Sequence, residues 1–138
     1  MFTNVVEYRK AIGRPAPGRV LVETEHGTLK ESTKRLEPAL GVVSDTYGLE
    51  FEKSYEENLS PIAIAGRVLV FPFENREGFR IGDPVCAGPG GTASLMTREE
   101  VKIWPDRIIG VVANIPGERF CGKDDEICIN GRIWIKVM

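Results

Sequence analysis

Apolar residues fall along this chain in short runs and alternations, broken by glycines, prolines and acidic turns, a pattern that predicts strands. The longest run, Ile62 to Val70 (IAIAGRVLV), returns as Ile127 to Ile135 (ICINGRIWI), with Gly66-Arg67 and Gly131-Arg132 matched 65 positions apart. Gly18 to Thr28 (GRVLVETEHGT) matches Gly82 to Thr92 (GDPVCAGPGGT) 64 positions on, and Thr33 falls on Thr97 at the same spacing. Leu40 to Ser44 (LGVVS) matches Ile109 to Ala113 (IGVVA), and Gly48 matches Gly117, both 69 positions on. Three blocks recurring in one order point to two copies of one β unit, about 17–73 and 81–138. The duplication predicts equivalent places for Arg67 and Arg132, as ion-pair partners of Asp or Glu.

Within each copy the elements follow from local signals. Arg19 to Glu25 alternates apolar and polar residues, His26-Gly27 is a hairpin tip, and Thr28 to Thr33 returns. Pro38 to Ser44 is a run able to be buried on both faces, and Pro61 to Phe73 is a strand ended by a turn at Glu74 to Gly78. Phe79 to Ala87 opens the second copy, Gly88-Pro89-Gly90-Gly91 forms its tip, and Ile108 to Asn114 and Glu126 to Met138 supply its remaining strands. Thr97-Arg98-Glu99-Glu100 is a capping box, which predicts one short helix near 98–103, ended by Pro105. Met1 to Lys10 fits a strand or an irregular lead-in. The acidic stretch Asp45 to Asn58, with Tyr47, Phe51 and Tyr55 and no period, predicts a loop with aromatic anchors. The fold class is mainly β: a compact sandwich- or barrel-like domain, 1–138 forming a single domain.

Composition narrows the partners. With 138 residues the chain can bury a real core, and 42% hydrophobic with 28% charged content is ordinary for a globular protein. A net charge of −2 argues against nucleic acid as a partner. No run approaches the ~20 apolar residues of a membrane span, so no membrane partner is expected, and the N-terminus has no signal-peptide pattern. Three cysteines make a poor disulfide framework. Cys86 reads as a small buried hydrophobe, while Cys121 and Cys128 would face each other as thiols across a hairpin. With one histidine, His26, neither a metal nor a cofactor is expected.

The candidates for chemistry are few. Ala87 to Ser94 (AGPGGTAS) lacks the Lys-Ser/Thr pair and the following helix of a phosphate-binding loop, so a hairpin tip is the better reading. A Ser-His-Asp triad is excluded by the lone histidine and the missing G-x-S-x-G elbow. Asp124-Asp125-Glu126 reads as a solvated turn, and Glu56-Glu57 beside Tyr55 is ambiguous. Glu7 is the more interesting acid, because Val5, Val6 and Tyr8 flank it and set it against apolar surface, where a carboxyl is suited to proton transfer.

A resemblance adds to this. TASLMTREE with PDRIIG, the terminal NGRIWIKVM, and the order Ser32-Thr33-Lys34, LGVVS, AGRVLV together resemble the C-terminal autoproteolytic intramolecular-chaperone domain of phage tail spikes, neck appendages and tail fibres. That family implies a homotrimer that brings fibre chains into register and is then cut from the upstream fibre segment of the same polypeptide. It acts in the host cytoplasm during phage assembly and is virion-associated if not released. A separately folding trimeric cap lowers the entropic cost of non-local strand pairing by raising effective concentration. The family's Asp-x-Ala-Glu motif just after the cut bond is matched by Asn4-Val5-Val6-Glu7. Glu7 matches the Glu and Asn4 stands in the place of the Asp, which makes these two the catalytic candidates. The other readings are a non-catalytic structural virion domain, such as a fibre tip or decoration protein, and a glycan- or small-ligand-binding β domain using Tyr47, Phe51 or Trp104.

Overall fold

The computed structural model describes residues 4–45, 49–51, 59–117 and 129–138, and the alternating runs in it are strands. They are β1 (Asn4–Lys10), β2 (Val20–Glu23), β3 (Leu29–Glu31), β4 (Ala39–Val43), β5 (Leu49–Phe51), β6 (Leu59–Val70), β7 (Pro84–Gly88), β8 (Thr92–Leu95), β9 (Gly110–Asn114) and β10 (Ile133–Val137). One short helix, α1 (Arg98–Ile103), lies between β8 and β9. It is held by the capping box: the Thr97 hydroxyl accepts from the Glu100 N–H at 3.1 Å, and Glu100 accepts from the Thr97 N–H at 2.9 Å.

Eight strands form a curled half-barrel in the order β3-β2-β4-β6-β10-β9-β7-β8. The second half repeats the first in reverse, and the two meet where β6 pairs antiparallel with β10. The duplication extends to individual hydrogen bonds. The Gly18 N–H donates to Val43 and the Gly82 N–H to Val112, both at 2.8 Å; Val43 donates back to Arg19 at 3.0 Å and Val112 to Asp83 at 2.9 Å. Each pair keeps the spacing of its sequence blocks. Gly41 and Gly110, the glycines of LGVVS and IGVVA, share a physical reason. A Cβ on Gly41 would lie 2.5 Å from the Ile62 Cγ2 and 2.9 Å from the Ala63 oxygen, and one on Gly110 would fall on the Lys136 carbonyl oxygen.

Both halves feed one main core: Val20, Val42, Val68 and Val70 from the first, Phe79, Val85, Val112, Ile133 and Ile135 from the second. A smaller cluster, Leu21, Leu29, Val43 and Ile62 with Ala11, fills the far side of the first half. Burying each such side chain contributes roughly 1.5–3 kcal/mol, so neither half can form its share of this core without the other.

The halves also differ. The β7–β8 tip docks on the first half: the Val20 N–H donates to the Gly91 oxygen at 2.7 Å, the Gly91 N–H to Ser32 at 2.9 Å, and Arg19 Nη1 to the Gly90 oxygen at 3.1 Å. The Gly91 amide of the glycine-rich stretch is thus engaged by a backbone carbonyl. The mirror-image dock for Gly27 does not form, because Pro84 stands where Val20 stands in the first half and has no N–H to donate. His26 is left at an exposed tip. Met1 to Lys10 resolves as strand from Asn4 onward, paired with β6 along all seven residues. Leu49–Phe51, expected as loop, is a short strand parallel to β1, a partner that local pattern cannot reveal. Arg67 and Arg132 are not in equivalent surroundings. Arg132, 2% exposed at the turn entering β10, makes a two-pronged pair with Asp45 at 3.1 and 3.0 Å. Arg67 sits exposed in mid-strand opposite Lys136, its guanidinium 5.8 Å from the Trp134 ring centre.

Candidate functional site

The site begins with β1. Because strand residues alternate in facing, Asn4 and Val6 share the buried face of β1, and Glu7 lies on the other. Asn4 is 2% exposed. Its Nδ2 donates to the Arg67 carbonyl at 2.9 Å, and its Oδ1 accepts from the Ser44 hydroxyl at 3.0 Å. The amide thereby fastens β1 to the middle of β6 and to the end of β4. Asp45, the next residue after Ser44, clamps Arg132, so two consecutive side chains join β1, β4, β6 and the start of β10.

Glu7 has a 39% exposed side chain, and its carboxylate lies 3.7 Å from Arg9 Nη1. Arg9 Nη2 also reaches Glu23 at 2.5 Å and the Gly27 carbonyl at 3.1 Å. Glu7 therefore belongs to an outer charged row, with Arg9 between two carboxylates. The structure does not bring Asn4 and Glu7 together on one face. Asn4 anchors β1, and Glu7 is partly exposed on its outer face beside Arg9.

Sequence reasoning missed a polar cluster at the seam between the halves. Arg35 donates to both oxygens of Glu100, at 2.7 and 2.9 Å, to the Leu95 carbonyl at 2.6 Å and, through Nε, to the buried Ser94 hydroxyl at 2.8 Å. The Ser94 hydroxyl donates to Glu74 at 2.7 Å, and Glu74 accepts a further bond from the Leu95 N–H at 2.9 Å. The Arg35 hydrogen bond, followed by the Thr97 N–H, pulls the Glu100 carboxyl down to about 2, and the same bond raises Arg35 further. Beneath this cluster burial pushes the Cys86 thiol up, in keeping with a buried hydrophobe that is not a nucleophile. The capping box pointed to Glu100, but its partner lies 65 residues away in a turn with no local signal.

Other candidates stand apart. Trp104 is exposed at the end of α1. Tyr47, Tyr55, Glu56, Glu57, Cys121, Asp124, Asp125, Glu126 and Cys128 lie outside the described residues, and Phe51 is described only as backbone. Among the described residues no group of three or more His, Cys, Asp or Glu side chains could hold a metal ion. No helix is long and apolar enough to cross a membrane.

No protein-family profile matches the chain, and no curated protein matches it in sequence. Solved structures share its fold. The crystal structure of the pre-mature bacteriophage phi29 gene product 12 matches over 100% of this chain and 21% of its own, with a TM-score of 0.63 at 13% identity. This chain thus spans about a fifth of that protein's length. The crystal structure of the bacteriophage phi29 gene product 12 C-terminal fragment matches over 98% of this chain and 99% of its own, with a TM-score of 0.62 at 12% identity. At this identity the likeness is one of fold.

Proposed function

We propose that this chain is a trimerising, intramolecular-chaperone-like module from the C-terminus of a phage tail fibre or spike, able to cut itself free at its N-terminal boundary. One observation carries the reading: the fold of nearly the whole chain matches nearly the whole of a C-terminal fragment that also occurs within a longer, pre-mature phage protein. A unit with its own core from both halves is suited to fold ahead of a β-rich fibre, whose non-local pairings are slow to form. The module would act in the host cytoplasm during assembly and stay with the virion unless released.

In this reading β1 is the strand that follows the cut bond. Glu7, half exposed on its outer face, carries the proton to or from the reacting peptide. Asn4 holds the strand in register and leaves the proton work to Glu7. Its carboxamide has no titrating proton and is bonded to Arg67 and Ser44. That burial, with Glu7 on the opposite face, also favours a second reading: a non-catalytic structural virion domain that keeps the fold without the cut.

The test joins the chain to its natural upstream fibre segment and follows cleavage as a band shift, with Glu7→Gln as control. Cutting that Glu7→Gln abolishes, in a particle of trimeric mass by light scattering, is the expected result. A trimer that stays intact leaves only the structural reading, and a monomer at high concentration counts against both.

A further inference from the structure

We infer that the seam between the two units is self-complementary, and that copies of this chain can share it by exchanging units. The inference goes beyond the phage reading and can fail without it.

At the centre of the seam Leu69 pairs with Trp134, Val68 with Ile135, and Val70 with Ile133. Leu69 and Trp134 are themselves matched residues, 65 positions apart, as are Val68 with Ile133 and Val70 with Ile135. Residue i of one unit therefore meets residue j of the other, and the match of j meets the match of i. That reciprocity defines an isologous interface, the kind by which two identical surfaces associate. Of these six residues, five are fully buried in the seam. A second unit from the same chain or from another copy satisfies it equally. Within one chain the tether favours the internal partner, so exchange requires copies held at high local concentration.

The connection between the units has a suitable hinge. The Phe71 N–H still bonds to the first unit, at the Gly18 carbonyl (3.1 Å), and the Phe73 N–H already bonds to the second, at the Ala93 carbonyl (2.9 Å). The hand-over falls at Phe71 and Pro72: the Phe71 carbonyl already accepts from the Ala93 N–H of the second unit at 2.8 Å, and Pro72 has no N–H to lose. The connection also carries two exposed large apolar side chains, Phe73 and Ile81, at 50% and 73%. A straightened connection would lay them against a neighbouring copy.

Arg67 and Lys136 face each other across the seam, and both are exposed. The full chain carrying Arg67→Cys and Lys136→Cys, with Cys121→Ser and Cys128→Ser, is unfolded, refolded dilute or concentrated, and then oxidised. Dilute refolding should give monomers with an internal disulfide. Concentrated refolding should give chains joined covalently, doubling the apparent mass on a non-reducing gel, or tripling it if exchange closes a ring of three. Internal disulfides alone after concentrated refolding would overturn the inference. If light scattering then shows a multimer, the copies associate through another surface and the trimeric reading stands; if it shows a monomer, both fail. Unsubstituted light and isotope-labelled chains answer the same question should the variant not fold. Mixed species in native mass spectrometry must appear on refolding together and not on mixing folded stocks, and mixing without refolding sinks the exchange.

Discussion

Arg35 and Glu100 meet in a two-pronged ion pair, 2.7 and 2.9 Å, that fastens a turn of the first unit to the helix of the second. Because the folded Glu100 carboxyl is drawn from 4.5 to about 2, the pair stabilises fully above the unfolded value. That contribution drains away as pH falls through 4.5 towards 2. Both side chains keep some solvent contact, so screening reduces the effect to about 1–2 kcal/mol. Glu100→Gln should lower the urea midpoint at neutral pH and flatten the loss of stability across that acid window. A variant with unchanged acid sensitivity would show that the pair contributes nothing there.

Gly110 and Gly117 both lie in the second unit, and alanine should affect them oppositely. At Gly110 the new methyl falls on the Lys136 carbonyl of the paired strand; at Gly117 it meets nothing within 4 Å. Gly110→Ala should cost about 2–3 kcal/mol by overpacking, with Gly41→Ala behaving similarly in the first unit. Gly117→Ala should be neutral or mildly stabilising, because it restricts the unfolded chain. Chemical denaturation of the three variants, compared at constant slope, decides this.

The matched arginines offer a test of how far the two units have diverged. Arg132→Ala removes a buried guanidinium bonded to Asp45 and to the Ile129 carbonyl, and should cost about 3–5 kcal/mol. Arg67→Ala removes an exposed cation over Trp134, and should cost about 0.5–1 kcal/mol. Similar losses at both positions would mean that the seam tolerates the change as a symmetric pair, contrary to the asymmetry in burial.

These contrasts show where the sequence was informative. The helix at Arg98–Ile103 was legible because its cap is local: Thr97 and Glu100 lie within one turn of each other. The repeated strands were legible because their glycines and apolar alternation recur at fixed spacings, and Gly41 and Gly110 recur because both meet a partner backbone. Leu49–Phe51 was not legible, since its strand character depends on β1, more than 40 residues earlier. Arg35 was hidden for the same reason, its partners being Ser94, Leu95 and Glu100. The different surroundings of Arg67 and Arg132 depend on Asp45, which has no matched acid in the second copy at the 69-residue spacing, where Asn114 stands instead. As for the candidate site, the chain order placed Asn4 and Glu7 near each other, but only the pleat of β1 sends them to opposite faces.

Asn4 can be tested by its closest isostere. In Asn4→Asp, one carboxylate oxygen would still accept from Ser44, but the other would face the Arg67 carbonyl oxygen, where Nδ2 now donates at 2.9 Å. Two acceptors would then oppose each other in a site 2% exposed, and burying a carboxylate against a carbonyl oxygen in this way costs about 3–5 kcal/mol. Burial favours the neutral acid, which can donate to the Arg67 carbonyl as the amide does. The folded carboxyl therefore titrates above its unfolded value. The variant should lie furthest below the parent at neutral pH and recover as the medium is acidified through that raised value. Thermal melts of both proteins across the acid range test this. A variant as stable as the parent at neutral pH would mean that the pocket around Asn4 accepts a charge, and would reopen a proton-carrying role for an acid at this position.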